Sequence, residues 1–429
     1  MFAPLRHAAF RNLALGRLIN MLGNSIAPIA LAFAVLDLTG SVRDLGLVVG
    51  ARSLLNAVFV LFGGVLADRL PRRVVLVGSS LLGALTQGAV AALVLSGTAT
   101  IPLLLALSAA NGVVSALAQP AAAALTPQTV PRELIQPANA INRLGINAAM
   151  IGGAALGGIL VAAVGPGWGL ATDAVTFALA GLVFARVRVP ASAAAAGDRR
   201  SILADLRVGW SEFVGRTWLW VVVLGFMVLN AVLAGAVNVL GPAVADGTIG
   251  RSAWGVVLAA EAAGMIVGGL IALRIRVRRL LLLGVSCMFA EALLLFGLAL
   301  APRVLVLVPA AMLAGLGVEQ FAVAWETSMA QHIPADRLAR VYSYDILGSI
   351  IAIPLGQVVV GPVAAAVGNR DTLLGAAALV VLSVLGMLAS RDVRRLPVGS
   401  PADGADGSAP PGGGVPGAPG GADPVSAPA

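Results

Sequence analysis

The segments "QTVPRELIQPANAINRLG" (residues 128–145) and "QHIPADRLARVYSYDILG" (residues 331–348) align without a gap at a constant offset of 203. Gln128, Pro131, Leu144 and Gly145 recur as Gln331, Pro334, Leu347 and Gly348. At the same offset, Gly153 and Gly158 recur as Gly356 and Gly361, and "AAVG" (162–165) recurs at 365–368. A match held in one register over this length marks a duplication, so the chain reads as two copies of one unit.

Composition says what each unit contains. The chain has 429 residues, 59% of them hydrophobic, with a mean hydropathy of +0.96, which is too apolar for a globule dissolved in water. A bilayer crossing takes about 20 apolar helical residues. Stretches of that length fall at 13–37, 44–67, 74–96, 101–124, 138–164, 167–187, 217–241, 253–273, 280–300, 304–326, 341–367 and 371–390. They are continuous apolar runs, not short alternating segments, so they predict helices and not a barrel. The expected fold class is an all-α membrane protein of twelve transmembrane helices in two pseudo-symmetric six-helix bundles, at 1–190 and 217–396.

Between the bundles, 191–216 is a linker in which Ile202, Leu206, Trp210 and Phe213 recur at helical spacing, which predicts a helix at the cytoplasmic interface. Residues 397–429 are mostly Pro, Gly and Ala with three Asp and no aromatic residue, and predict a disordered cytoplasmic tail.

The formal charge of +8 comes from 28 basic residues, all arginine. With the N-terminus cytoplasmic, 21 lie on inner segments, four outside (Arg43, Arg251, Arg303, Arg370) and three within spans. That asymmetry is the positive-inside bias. It places both termini in the cytoplasm of a multi-pass protein of the inner (plasma) membrane, and accounts for the basic balance without nucleic acid. The first apolar run is too long for a signal peptide and lacks a small-residue cleavage site, so it reads as a retained span. A single cysteine, Cys287, permits no internal disulfide and no metal cluster, and His7 and His332 fall at or beyond the membrane edge. No phosphate-binding G-x-x-x-x-G-K-[ST] loop occurs. The sequence thus predicts no enzyme, no cofactor and no metal.

The stretch "GGVLADRLPRR" (63–73) puts Asp68, Arg69, Arg72 and Arg73 between spans 2 and 3. Its counterpart "GGLIALRIRVRR" (268–279) keeps the paired glycines and arginines but has Leu273 where the first copy has Asp68. Acids contribute little to topology, so Asp68 needs another role. Two six-span repeats with this loop in this place resemble the major facilitator superfamily of secondary transporters, over about residues 10–395. Residues 10–41, "QPAAAALTPQTVP" (119–131) and "ANAINRLG" (138–145) resemble its bacterial efflux branch, which includes drug, macrolide and siderophore exporters. Pro71 departs from the glycine usual in that loop. The resemblance implies a gating motif of Gly64, Asp68, Arg69, Arg72 and Arg73, with Asp68 latching the cytoplasmic side against the start of span 11 or pairing with a nearby arginine; the alternative is a solvated loop acid.

Polar residues inside spans face the interior or water, because lipid exposure is costly. Arg17, Asn20 and Asn24 share one face of span 1, as do Ser108, Asn111, Ser115 and Gln119 in span 4, Asn230 and Asn238 in span 7, and Glu319 and Glu326 in span 10. The resemblance implies that these four helices line a central cavity. The alternative is hydrogen bonding between helices with no ligand. Glu261, Glu291 and Glu319 are the deep carboxyls and the candidates for proton coupling. Arg17 and Arg52 are either coupling or substrate cations, or partners of a buried acid such as Glu261 or Glu319. Asp37, Asp173 and Glu326 lie nearer span ends and are expected to reach water. Arg143 and Asp345 are candidate latch residues.

Together these features predict a monomeric, proton-coupled secondary transporter in membrane lipid. It would export a small amphipathic or hydrophobic compound by alternating access, as in drug resistance. An importer, a uniporter, and a non-transporting sensor or scaffold are the alternatives.

Overall fold

The structure, a computed structural model, describes residues 3–69, 71–187, 211, 213–275, 277–333 and 335–397, among which there is no strand. Twelve long helical segments follow one another: α1 (Ala8–Thr39), α2 (Val42–Arg69), α3 (Arg72–Leu95), α4 (Ile101–Leu125), α5 (Ile135–Val164), α6 (Pro166–Phe184), α7 (Thr217–Asp246), α8 (Arg251–Ala272), α9 (Leu280–Leu300), α10 (Val304–His332), α11 (Ala335–Val367) and α12 (Asn369–Ala389). Ten of them are long and apolar enough to cross a membrane, and α11 carries a shorter apolar stretch, Ile351–Val367. The remaining one, α2, is 28 residues long. A short α13 (Arg391–Arg395) follows.

The duplication is visible in the packing. In the first half α1 packs on α5 and α6, α2 on α4, and α3 on α4 and α6; in the second α7 packs on α11 and α12, α8 on α10, and α9 on α10 and α12. Adding six to each label converts one set into the other. The two halves meet along α5·α8 and α2·α11, which are also related by that operation.

The repeated glycines carry this symmetry. Gly165 (φ 91, ψ 164) and Gly368 (φ 90, ψ 156), the last residues of the two "AAVG" copies, sit between consecutive helices in a region that essentially only glycine adopts. A Cβ on Gly158 would lie 2.7 Å from the Cα of Gly255 on α8, and one on its partner Gly361 would lie 2.5 Å from the Cα of Arg43 on α2. Both crossings between the halves are thus backbone against backbone, made possible by a missing side chain.

Those crossings cluster at one end of the molecule, where odd-numbered helices end and even-numbered ones begin. Arg251 at the start of α8 donates to both carboxylate oxygens of Asp37 near the end of α1, one of them at 2.9 Å, and to Asp246 at 2.8 Å. Its guanidinium also lies 4.8 Å from the centre of the Phe33 ring. Asp37 therefore does not simply reach for water, as its place near a span end suggested; it ties the two halves together. Of the expected interfacial helix, Ile202, Leu206 and Trp210 lie outside the described residues, while Phe213 is buried in the main apolar cluster. The tail beyond Pro397 also lies outside the described residues.

Candidate functional site: the cavity between the halves

Below that end lies a cavity of about 870 Å³. Its first-half wall carries the charged groups: Arg17, Asn20 and Asn24 from α1, Arg52, Ser53 and Asn56 from α2, and Ser115 from α4 are set among apolar residues such as Met21, Leu76, Phe177 and Phe184. Its second-half wall is mostly apolar, with Val237, Trp254, Leu258 and Ile353 beside Asn238 and Gln357. The volume suits a drug-sized organic molecule, and an apolar surface with a few placed polar groups is what such ligands bind.

The polar wall is organised by a short chain of hydrogen bonds. Arg52 Nη2 donates to Asn24 Oδ1 at 3.2 Å, and Asn24 Nδ2 donates to Asn20 Oδ1 at 2.9 Å. Nearer the other end, Arg17 Nη1 donates to Thr126 Oγ1 at 3.4 Å, and Thr126 also accepts from Asn142 at 3.5 Å. A second, smaller pocket of about 260 Å³ between α1 and α5 shares Arg17 and Ile146 with the main cavity.

One feature of the wall escaped the sequence reading. Asn24 is followed four residues on by Pro28, and Asn238 four residues on by Pro242, on the equivalent helices α1 and α7, and all four line the cavity. A proline removes the N–H that would bond the carbonyl four residues earlier, so each asparagine stands where its helix has a spare backbone acceptor. In α7 the backbone widens there into a π turn, Ala236–Leu240, as helices often do at functional sites. The signal, N-x-x-x-P in both first helices, was available in the sequence.

The remaining candidates are distributed as follows. Arg17, Asn20, Asn24, Arg52, Ser115 and Asn238 line the cavity. Asn111 shares their kind of stripe but is buried and donates to Thr86 of α3 at 3.3 Å, which is helix-to-helix bonding. Asn230 is half-buried on α7 and is not part of the lining, and the side chain of Gln119 lies outside the described residues. Glu319 pairs across the halves with Arg143 of α5 at 3.8 Å, and Asp345 accepts from Trp325 Nε1 at 3.0 Å. Glu261 and Glu291 lie off the cavity on α8 and α9, near enough to feel each other's charge; Glu291 is 2% exposed.

Asp173 corrects the sequence reading. It is fully buried, not near water, because Gly23 of α1 leaves room for the side chains of Asp173 and Thr176 on α6. Thr176 Oγ1 lies 3.5 Å from its Oδ1, and its charge is felt by Arg52. Arg52 thus answers to Asn24 and Asp173, and Glu319 to Arg143, instead of to each other.

In the gating motif, the side chains of Gly64, Asp68 and Arg69 lie outside the described residues. Arg73 donates to the carbonyl of Ala185 at the end of α6, and Arg72 is half-buried and engaged.

The sequence pattern of the Major Facilitator Superfamily matches residues 13–345. Enterobactin exporter EntS of Shigella dysenteriae serotype 1 (strain Sd197) is 31% identical over 249 residues, and the protein of the same name from Escherichia coli O1:K1 / APEC is equally so. That match covers 56% of this chain and 57% of theirs, so the chain spans little more than half the length of these curated relatives. In fold, the chain is similar to nucleoside transporter NupG (TM-score 0.69, 14% identity, 89% of this chain and 98% of that one). It is also similar to a bacterial homolog of the human lysosomal transporter Spinster in an inward-facing, unoccupied conformation (TM-score 0.70, 16% identity, 92% and 98%). Twelve helices in two halves related by sequence and packing, a cavity between them and a family match over most of the chain lead to one conclusion: the protein belongs to the Major Facilitator Superfamily, and is a multi-pass membrane transporter and not an enzyme.

Proposed function

We propose that this transporter exports a small amphipathic compound from the cytoplasm by alternating access, driven by protons. The observation that carries this reading is the cavity between the halves, sealed at the Arg251–Asp37 end by the glycine crossings. With the arginine-rich segments inside, the sealed end faces outward and loading is from the cytoplasm. The 31% identity to enterobactin exporters favours export, and a siderophore-like amphipathic compound as cargo.

Glu319 is the coupling carboxyl in this reading. It is bound across the halves to Arg143, so rocking the halves apart at that end changes its partner and its access to water. Glu261 and Glu291 are the alternatives within the second half. Asp68 latches the cytoplasmic side in the opposite state, when the outer end is open.

The test is transport in everted membrane vesicles from a host stripped of its own exporters. Acidifying the lumen should drive a fluorescent amphipathic compound into everted vesicles, and a protonophore should abolish uptake. Uptake confined to right-side-out vesicles would make the protein an importer. The absence of flux in either orientation would favour the scaffold.

A further inference from the structure

Arginines in this molecule are paired in two different ways. Arg251 has two carboxylates and an aromatic ring, and Arg143 has Glu319. Arg52 and Arg17, both within spans and both facing the cavity, have no carboxylate within 4 Å among the described residues. Among the described residues, each makes one side-chain hydrogen bond, to the neutral oxygen of Asn24 for Arg52 and of Thr126 for Arg17. A guanidinium has five N–H donors and cannot shed its charge, so most of the donor capacity of both residues is unspent.

The neighbouring amides sharpen this. Asn24 Oδ1 accepts from Arg52, and Asn20 Oδ1 accepts from Asn24 Nδ2. These two side-chain oxygens each accept a hydrogen bond, and the Asn20 amide nitrogen is left as a further donor on the same wall as the two guanidiniums. Among the described residues, no lining residue is acidic. The nearest acid to act on Arg52, Asp173, is held behind the wall beside Thr176 and is beyond ion-pair distance. A cavity wall that keeps two cations in a membrane with no carboxylate in direct contact is costly unless something else supplies the negative charge.

We infer that the cargo is an amphipathic organic anion: an oxyanion group, a carboxylate being the simplest, sits between Arg52, Asn20 and Arg17, and its apolar body lies against Trp254, Leu258 and Ile353. A planar guanidinium fork matches a carboxylate, and such charge-assisted bonds are about twice as strong as neutral ones. The assignment rests on the transport reading for its physiological meaning, but concerns the binding site itself. An oversized anion would be limited by the 870 Å³ available, and a cation of the same shape would meet two like charges.

The experiment uses the full chain in lipid nanodiscs and a matched pair of probes, 1-pyrenebutyrate and its primary amide, which differ in charge and hardly in shape. Binding is read as energy transfer from protein tryptophan, Trp254 being in the cavity wall. The acid should bind at least about tenfold more tightly than the amide at low salt, and the preference should shrink as salt is raised. The double variant Arg17→Gln with Arg52→Gln should lose the discrimination, acid and amide binding alike. Equal affinity of the wild-type protein for the two probes, binding of neither, or a preference that survives in the double variant would overturn the assignment. Because nothing in this measurement depends on direction or on protons, anion-selective binding with no flux in everted vesicles would break the export reading and leave this one standing.

Discussion

The two halves of the molecule are alike in how they pack and unlike in what they show to the cavity. Among apolar residues, α1, α2 and α4 present two arginines, three asparagines and two serines; α7, α8 and α11 present no charge, and Asn238 and Gln357 are their polar residues. The second half keeps its two deepest carboxyls, Glu261 and Glu291, away from the cavity altogether. Duplication preserved the residues that let helices cross and turn, because a lost glycine at a backbone contact is costly wherever it lies. It did not preserve the charged residues: Arg17 and Arg52 line the cavity, and no described second-half residue of the lining is charged. On the export reading, the first half would hold cargo and the second half would move against it.

The comparison can be broken at its symmetric part with the largest expected effect. Gly158→Leu and Gly361→Leu each drive a side chain into the backbone of a helix from the other half, at Gly255 and Arg43 respectively. Neither contact can relax by a rotamer change, so both variants should insert and bind cargo but fail to seal the outer end, with flux falling by about a hundredfold. Cysteine accessibility from outside, measured at the cavity residue Ser53, should rise in both. If only one of the two were damaged, the halves would not be equivalent in packing.

A smaller effect sharpens the chemical difference. Glu319→Gln keeps shape and hydrogen bonding but removes the titrating group, so proton-driven flux should fall about tenfold or more while cargo affinity stays close to wild type. A variant that still pumps with an unchanged pH dependence would move the coupling to Glu261 or Glu291.

The smallest effect is expected at the Arg251–Asp37 clamp. Arg251→Gln removes an ion pair whose partner Asp37 is 42% exposed at the side chain, so water screens much of its worth. A shift of about three- to tenfold toward the outward-open population, read by the same cysteine, is the expected outcome. The α2·α11 crossing has no such clamp among the described residues. Placing one there, by Gly361 neighbours chosen to meet Arg43, would test whether the asymmetry sets the resting state.

Much of this was legible in the sequence, and the reasons are local. A span is a run of apolar residues, a turn is a glycine, and a duplication is a register, so twelve helices and their pairing in two halves follow from one chain. Gly165 and Gly368 recur because both turns need the same backbone region. What the sequence hid was the identity of partners across helices. Asn111 and Ser115 lie on one stripe, yet a single turn of helix takes Asn111 to Thr86 and leaves Ser115 at the cavity. Asp173 is only seven residues past the start of α6, and its burial depends on the missing side chain of Gly23, which is 150 positions away. Arg143 and Glu319 are 176 positions apart, and no periodicity links them.

The sealed end has one more property. Its connections are short: Gly165 alone joins α5 to α6, Gly368 alone joins α11 to α12, and the longest, between α3 and α4, is 96–100. If that end faces the outside, almost no polypeptide protrudes from the bilayer there for a protease to cut, an antibody to grip or a phage to dock on. The cell would carry this protein nearly invisible from without, and the segment 96–100 is where an inserted epitope would have the best chance of being seen.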